Sequence, residues 1–247
     1  MNTISKKTVA AALIFGVVGF VGPAYAVNLV QNGNFETGNF PHGSGQVGFQ
    51  GTSLANWTNG NINPSTPAYN LIFLPGDATA GAQEGSVSLY APAGPDTLAG
   101  GGGNFIAGDP DFNNGPLNQT ITGLTVGASY TLTFDYAGAQ QMGFNGATQE
   151  GWQVSLGSET HTTPILNNAE HGFTGWFAAT MSFTATSTSE VLSFLAVGGP
   201  SGTQPPFVLL DNVALNLSVP EPMTLSVFGI GLVGAAAWRR RKAAKKA

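Results

Sequence analysis

Few side chains in this sequence combine a reactive type with a telling position, and Asp211 is the first of them. Phe207, Leu209, Asp211, Val213 and Leu215 alternate with smaller or polar neighbours, which reads as one face of a β-strand. That face is apolar, so Asp211 is expected to point with the core. An ionised carboxylate buried without a partner is costly. All eight Lys and Arg residues lie near the two ends, at Lys6, Lys7, Arg239, Arg240, Arg241, Lys242, Lys245 and Lys246. None lies between Val27 and Trp238, where all 13 acids fall, so no ion pair with Lys or Arg can neutralise Asp211 there. Two arrangements answer the problem: a Ca²⁺ with oxygen ligands, or a carboxylate that caps a turn or accepts backbone N–H groups at the strand edge. The run Asp109-Pro-Asp-Phe-Asn-Asn-Gly115 alternates oxygen side chains like the first half of an EF-hand loop. It lacks the closing bidentate Glu and reads as a solvated turn.

Catalytic constellations are scarce. His42, His161 and His171 do not have metalloprotease spacing, no G-x-S-x-G elbow occurs, and there is no Cys to supply a thiol nucleophile. A glycosidase pair of carboxylates is defined by spatial separation, but a domain without Lys or Arg lacks the usual clamps for developing negative charge. The expectation is a non-catalytic protein; a secreted glycan hydrolase or lyase is the alternative. Sugars stack on aromatic faces beside amide groups. Trp152 and Tyr130 carry core parity, whereas Trp176 has the parity opposite Phe177, Met181 and Phe183 and is the aromatic expected to bind glycan. Gln140, Gln141, Asn145 and Gln149 lie nearby as polar contacts. A formal charge of −13 between Val27 and Trp238 excludes nucleic acid as a partner and disfavours anionic polysaccharides. A neutral polysaccharide is compatible with it.

The elements that position these residues are strands. Tyr130, Leu132, Phe134 and Tyr136 alternate with Thr131, Thr133 and Asp135, after a turn at Gly123–Gly127. Trp152–Leu156, Thr180–Thr184, Val191–Val197 and Phe207–Leu217 repeat the period of two, and Tyr69–Leu74 is apolar on both faces. Short strands separated by Gly, Pro, Asn and Ser turns predict an all-β, jelly-roll β-sandwich over residues 27–217. Helix is expected only at the two ends, and the first and last strands are expected side by side. A core of about 190 residues is large enough to do without disulfides.

The ends read as addresses. Residues 1–26 have a basic start (Lys6-Lys7), an apolar run (Val9–Val21) and an Ala24-Tyr25-Ala26 cleavage site, the layout of a signal peptide. Residues 218–247 hold Pro220, Glu221 and Pro222, an uncharged run over 223–238, and a basic tail over 239–247 that opens with Arg239, Arg240, Arg241 and Lys242. The run is predicted to be a transmembrane helix, somewhat short of the ~20 residues a bilayer wants, with the bases held on the cytoplasmic side. The order of these three parts resembles the PEP-CTERM sorting signal of Gram-negative bacteria, also described as the ice-binding protein C-terminal domain. That resemblance implies export, transient anchoring in the inner membrane, recognition by an exosortase, and release to the cell surface or an exopolysaccharide matrix. It does not imply ice binding.

A second resemblance rests on three short stretches: Asn28-Leu-Val-Gln-Asn-Gly-Asn-Phe-Glu36, Gly123-Leu-Thr-Val-Gly-Ala-Ser-Tyr-Thr-Leu-Thr-Phe134 and Leu209-Leu-Asp-Asn-Val-Ala-Leu215. Together they resemble galactose-binding-like β-sandwiches, which include many carbohydrate-binding modules. The resemblance implies a jelly roll, often glycan binding, and no catalysis. It also implies a structural calcium between first and last strands, held by acids matching Glu36 and Asp211.

Overall fold

The computed structural model describes residues 27–63, 66–82, 87–90, 103–200, 202 and 204–218. The predicted signal peptide, Pro220–Pro222, the membrane span and the Arg239–Lys242 cluster lie outside the described residues. Among the described residues no helix is long and apolar enough to cross a membrane.

The strands in chain order begin with short pieces: β1 (Gly38–Asn39), β2 (Gly45–Gln46), β3 (Ser53–Leu54), β4 (Thr58–Asn59), β5 (Asn61–Asn63) and β6 (Thr66–Pro67). Next come β7 (Asn70–Phe73), β8 (Phe105–Gly108), β9 (Leu117–Thr122), β10 (Ser129–Gln140), β11 (Thr148–Leu156), β12 (Glu159–Thr162) and β13 (Leu166–Asn168). The last three are β14 (Phe177–Thr184), β15 (Ser189–Gly199) and β16 (Pro206–Leu217). They form two six-membered sheets, here A and B, plus two small ribbons. Sheet A runs β14-β10-β16-β8-β7-β2; sheet B runs β12-β11-β15-β9-β4, with β13 also on β11. From β8 to β11 and from β14 to β16, consecutive strands alternate between the sheets. This is an all-β sandwich, as its sequence periodicity predicts. The one helical turn, α1 (Asp77–Ala80), corrects the expectation that helix occurs only at the ends.

Period-two alternation explains the main core. Tyr130, Leu132, Phe134 and Tyr136 of β10 face Trp152, Val154 and Leu156 of β11 and Leu192, Phe194 and Ala196 of β15 in one buried cluster. Trp152 and Phe134 each set a ring edge-on to Phe194, at 5.9 and 5.2 Å between centroids. The buried indole N–H of Trp152 donates to the Leu209 carbonyl at 3.0 Å, which removes the cost of burying it. A second cluster covers the outer face of sheet A: Leu71, Phe73, Phe105, Ala137, Ala139, Phe207 and Leu209 pack against Ala78, Ala82, Val87 and Leu89. Phe73 and Phe105 stack there at 5.3 Å. Each fully buried Phe contributes roughly 1.5–3 kcal/mol of transfer free energy. Both faces of β7 and β8 are therefore buried, which is why their sequences lack alternation.

The single parity expected for the last strand does not hold. The β10–β16 register shifts between Thr133 and Asp135, and Asn212 adopts φ 53°, a left-handed conformation that Asn tolerates better than most residues. This β-bulge turns Val213 and Leu215 into the main core, while Phe207 and Leu209 face the second cluster. Asp211 stands directly opposite Asp135, on the side of Phe207 and Leu209.

The first and last segments do meet. The Leu29 N–H donates to the Leu215 carbonyl, the Leu215 N–H to Asn28 Oδ1, and the Val213 N–H to the Gly33 carbonyl, each at 2.9 Å. The expected strand at Asn28 is a strap held by these bonds rather than a ladder strand. A Cβ on Gly33 would sit 2.0 Å from the Val213 carbonyl oxygen, so main chain would have to move. Gly33→Ala is expected to cost about 1–3 kcal/mol. The melting temperature should then fall by roughly 2–4 °C per kcal/mol, which thermal unfolding of the variant checks.

Candidate functional site

Without Lys or Arg in the sandwich, its carboxylates are held by main-chain N–H groups, hydroxyls and histidine. Glu190 Oε1 accepts the N–H groups of Thr186 and Ser187 and the Thr186 hydroxyl. Asp109 Oδ1 accepts the N–H groups of Asp111 and Phe112 at 2.8 and 3.1 Å, an Asx turn. The loop that follows is therefore a turn, as its missing Glu predicts, although Asp109 itself is buried. Asp111 Oδ2 accepts the Gly202 N–H.

Glu36 lies three residues beyond the strap in sequence, and Asp211 two residues before its bond to Val213. Glu36 is exposed, and its Oε1 accepts the Asn104 N–H at 2.9 Å. Asp211 is fully buried; its Oδ1 accepts the Asn212 N–H at 2.7 Å, while the Asn212 amide donates to Asp135 at 2.9 Å. Carboxylate and carbonyl oxygens are the donors a hard cation takes. Among the described residues no three His, Cys, Asp or Glu side chains gather to hold a metal ion, so any such ion would lean on main-chain carbonyls.

Trp176 is half-buried. The face it occupies is covered by the second cluster, and the Trp176 ring lies edge-on to Phe105 at 5.8 Å and to Phe173 at 6.5 Å. Phe177, of inward parity, is 45% exposed. It begins β14, the edge of sheet A, and overhangs the core beside Tyr136 at 6.2 Å. Edge position is invisible in a single sequence. Gln140 is also withdrawn from solvent: its amide spans the Gly146 carbonyl and the His171 N–H.

Where the edges of the two sheets come together, a cleft of about 510 Å³ opens between β14 and the segment His161–Pro164, a size suited to a ligand. Tyr136 Oη donates to the Pro164 carbonyl at 3.3 Å across its back. Burial raises the Tyr136 phenol above its usual range, against a hydrogen bond from Thr163. At one end Glu159 clamps the edges, accepting the Thr184 N–H at 2.7 Å and pairing with His161 at 3.0 Å. The lining residues include no carboxylate. Smaller hollows lie at Gln31, Trp57 and Gln119, and at Thr148, Asn168 and Pro200.

Residues 78–216 match the family described as "Protein of unknown function (DUF642)". The chain belongs to the DUF642 family. In this DUF642 protein residues 218–242 match the PEP-CTERM protein-sorting motif, immediately after β16. It is thus an exported protein, made as a membrane-anchored precursor and sorted to the cell surface. Over 220 residues it is 28% identical to halomucin of Haloquadratum walsbyi, covering 86% of this chain and 2% of that one. Among solved structures it is similar to the K3 adhesin domain of Lys-gingipain from Porphyromonas gingivalis, with 14% identity and a TM-score of 0.41 over 78% of this chain and 99% of that one. It is also similar to the N-terminal cellulose-binding domain of Cellulomonas fimi β-1,4-glucanase C, with 18% identity and a TM-score of 0.28 over 47% and 79% of the two chains. Likenesses this faint assign no ligand.

The interior of the DUF642 sandwich holds one more unusual acid, which sequence reading missed. Glu150 has core parity on β11 between Thr148 and Trp152, and that position was the available signal. It is fully buried; Oε1 accepts the Thr148 hydroxyl, and the Asn168 side chain also favours the carboxylate. Burial pushes its carboxyl up to about 7, against the Thr148 hydrogen bond, and pushes Asp109 up to about 6. The native state therefore keeps protons that the unfolded chain releases. The stability these groups contribute is complete below the ordinary carboxylate range and is lost as pH rises through about 6 and 7. Glu150→Gln should flatten the fall in melting temperature between pH 4.5 and 8 and raise stability at pH 8 by about 1–3 kcal/mol. The exposed variant Glu170→Gln, which should do neither, is the control.

Proposed function

We propose that this protein is a non-catalytic exosortase substrate of the Gram-negative cell surface or exopolysaccharide matrix, and that its sandwich binds neutral polysaccharide. The observation that carries the reading is the cleft between the sheet edges, whose lining holds no carboxylate, set in a domain whose other ionisable surface is almost wholly acidic. An anionic polymer meets repulsion from that surface, whereas a neutral one meets an apolar floor and hydroxyl groups. The placement of the acids supports a non-catalytic role. Asp135 and Asp211 face each other, but the buried Asp211 is closed to a substrate oxygen. The full chain in detergent is expected to bind at least one neutral polymer on a glycan array without releasing reducing ends. Reducing-end release would favour a hydrolase, and binding to no neutral glycan would remove the lectin-like reading.

A structural Ca²⁺ held by Glu36 and Asp211 belongs to the same proposal. It is supported by the placing of Asp211 opposite Asp135 at the β16 bulge, close to the strap's bond to Val213, where carboxylate and main-chain oxygens of the kind a hard cation takes are at hand. Chelator should lower the melting temperature by several degrees, and excess Ca²⁺ should restore it. An unchanged midpoint discards the site.

A further inference from the structure

We infer that the polysaccharide lies along the cleft between β12 and β14, and that the unpaired main chain of the two sheet edges, rather than a set of charged side chains, recognises it. This rests on the neutral-polysaccharide reading above and adds where the polymer lies and which kind of polymer fits. Among the described residues β14 pairs with β10 alone, and β12 with β11 alone. Each therefore leaves a row of N–H and C=O groups without a ladder partner. One of these, the Thr184 N–H, is already taken by Glu159. The others border a cleft whose lining strand, Ala178 to Ser182, extends for about 13 Å, long enough for an oligosaccharide segment.

Hydroxyl groups both donate and accept, so a sugar chain can satisfy the two kinds of main-chain group in turn. Ala179 and Met181 are half-buried there, and Phe177 is exposed beside Tyr136. Tyr136, Ala179 and Met181 offer an apolar floor to the C–H face of a pyranose ring, and Phe177, next in the chain to the lining Ala178, stands beside that floor. Thr162, Thr180 and Ser182 add hydroxyls at the rim. Charge selects the polymer further. The lining group able to carry positive charge is His161, already paired with Glu159. A cationic sugar meets no free carboxylate and an anionic one meets an acidic protein, so the fitting class is an unsubstituted, extended, neutral glycan. A peptide strand would also find the β14 edge attractive, but it would not use the rim hydroxyls, and a second copy of this chain would bring 13 further acids.

The test uses the full chain in detergent with cello-, laminari-, xylo- and manno-oligosaccharides as probes, read by calorimetry and by amide hydrogen exchange. At least one probe should bind, slow exchange at residues 159–163 and 177–182, and lose tenfold or more in affinity in Phe177→Ala. Phe112→Ala, an exposed aromatic elsewhere, should leave affinity unchanged. Binding with exchange slowed at some other surface, or undiminished in Phe177→Ala, overturns this site and leaves the polysaccharide reading standing. Binding of none of the probes overturns the site; if the array is also negative, the polysaccharide reading falls with it. A concentration-dependent dimer that protects the β14 amides with no sugar present assigns the edge to a second copy instead. Exchange is read on the unmutated protein, so a misfolded variant does not obscure the outcome.

Discussion

A carboxylate inside a protein needs positive charge, hydrogen-bond donors or its own proton, and this sandwich has no Lys or Arg with which to supply the first. Its local architecture follows from that restriction. Loops are wound so that consecutive N–H groups converge on one oxygen, as around Glu190 and Asp109. Glu159 uses the Thr184 N–H and a histidine to hold two strand ends together. Glu150, for which a hydroxyl and an amide do not offset burial, is left to retain its proton. The cost of an all-acid composition thus falls on backbone geometry, and the well-formed turns are where that cost is met.

The strands and their inward residues were legible because most are half-buried, so that core and surface alternate along the chain. Tyr130 to Tyr136 and Trp152 to Leu156 occupy the core positions that their spacing predicts. The last strand misled for a definite reason. One left-handed residue, Asn212, exchanges the two faces in mid-strand, and nothing in the alternation Phe207, Leu209, Asp211, Val213, Leu215 records the exchange. Ala82, Val87 and Leu89 make isolated bridges and pack in the second cluster on the outer face of sheet A.

The candidate site was less legible than the fold. Parity separates the two faces of β14 but does not say which face meets solvent. Trp176 falls on the face covered by the second cluster, whereas Phe177 falls on the core side of an edge strand whose neighbour is missing. A cleft made from the margins of two sheets has no local signature, since its walls come from segments about 16 residues apart and much of its chemistry is main chain. Glu150 was visible as a polar residue at a core position of β11, but its room depends on Gly138 of the other sheet, where a Cβ would lie 2.7 Å from Oε2.

The strap of Asn28 to Gly33 has a mechanical consequence. β16, which leads into the sorting motif, is an inner strand of sheet A, bordered by β10 along its length and by β8 at Val208–Leu210, and the strap is bonded to its later half at Val213 and Leu215. A pull on the C-terminal end while the polypeptide is tethered would run parallel to that strand. Its hydrogen bonds to both neighbours and to the strap would then bear the load together in shear rather than opening one at a time like a zip. Tension applied by the attachment therefore enters the domain where it is most densely stitched.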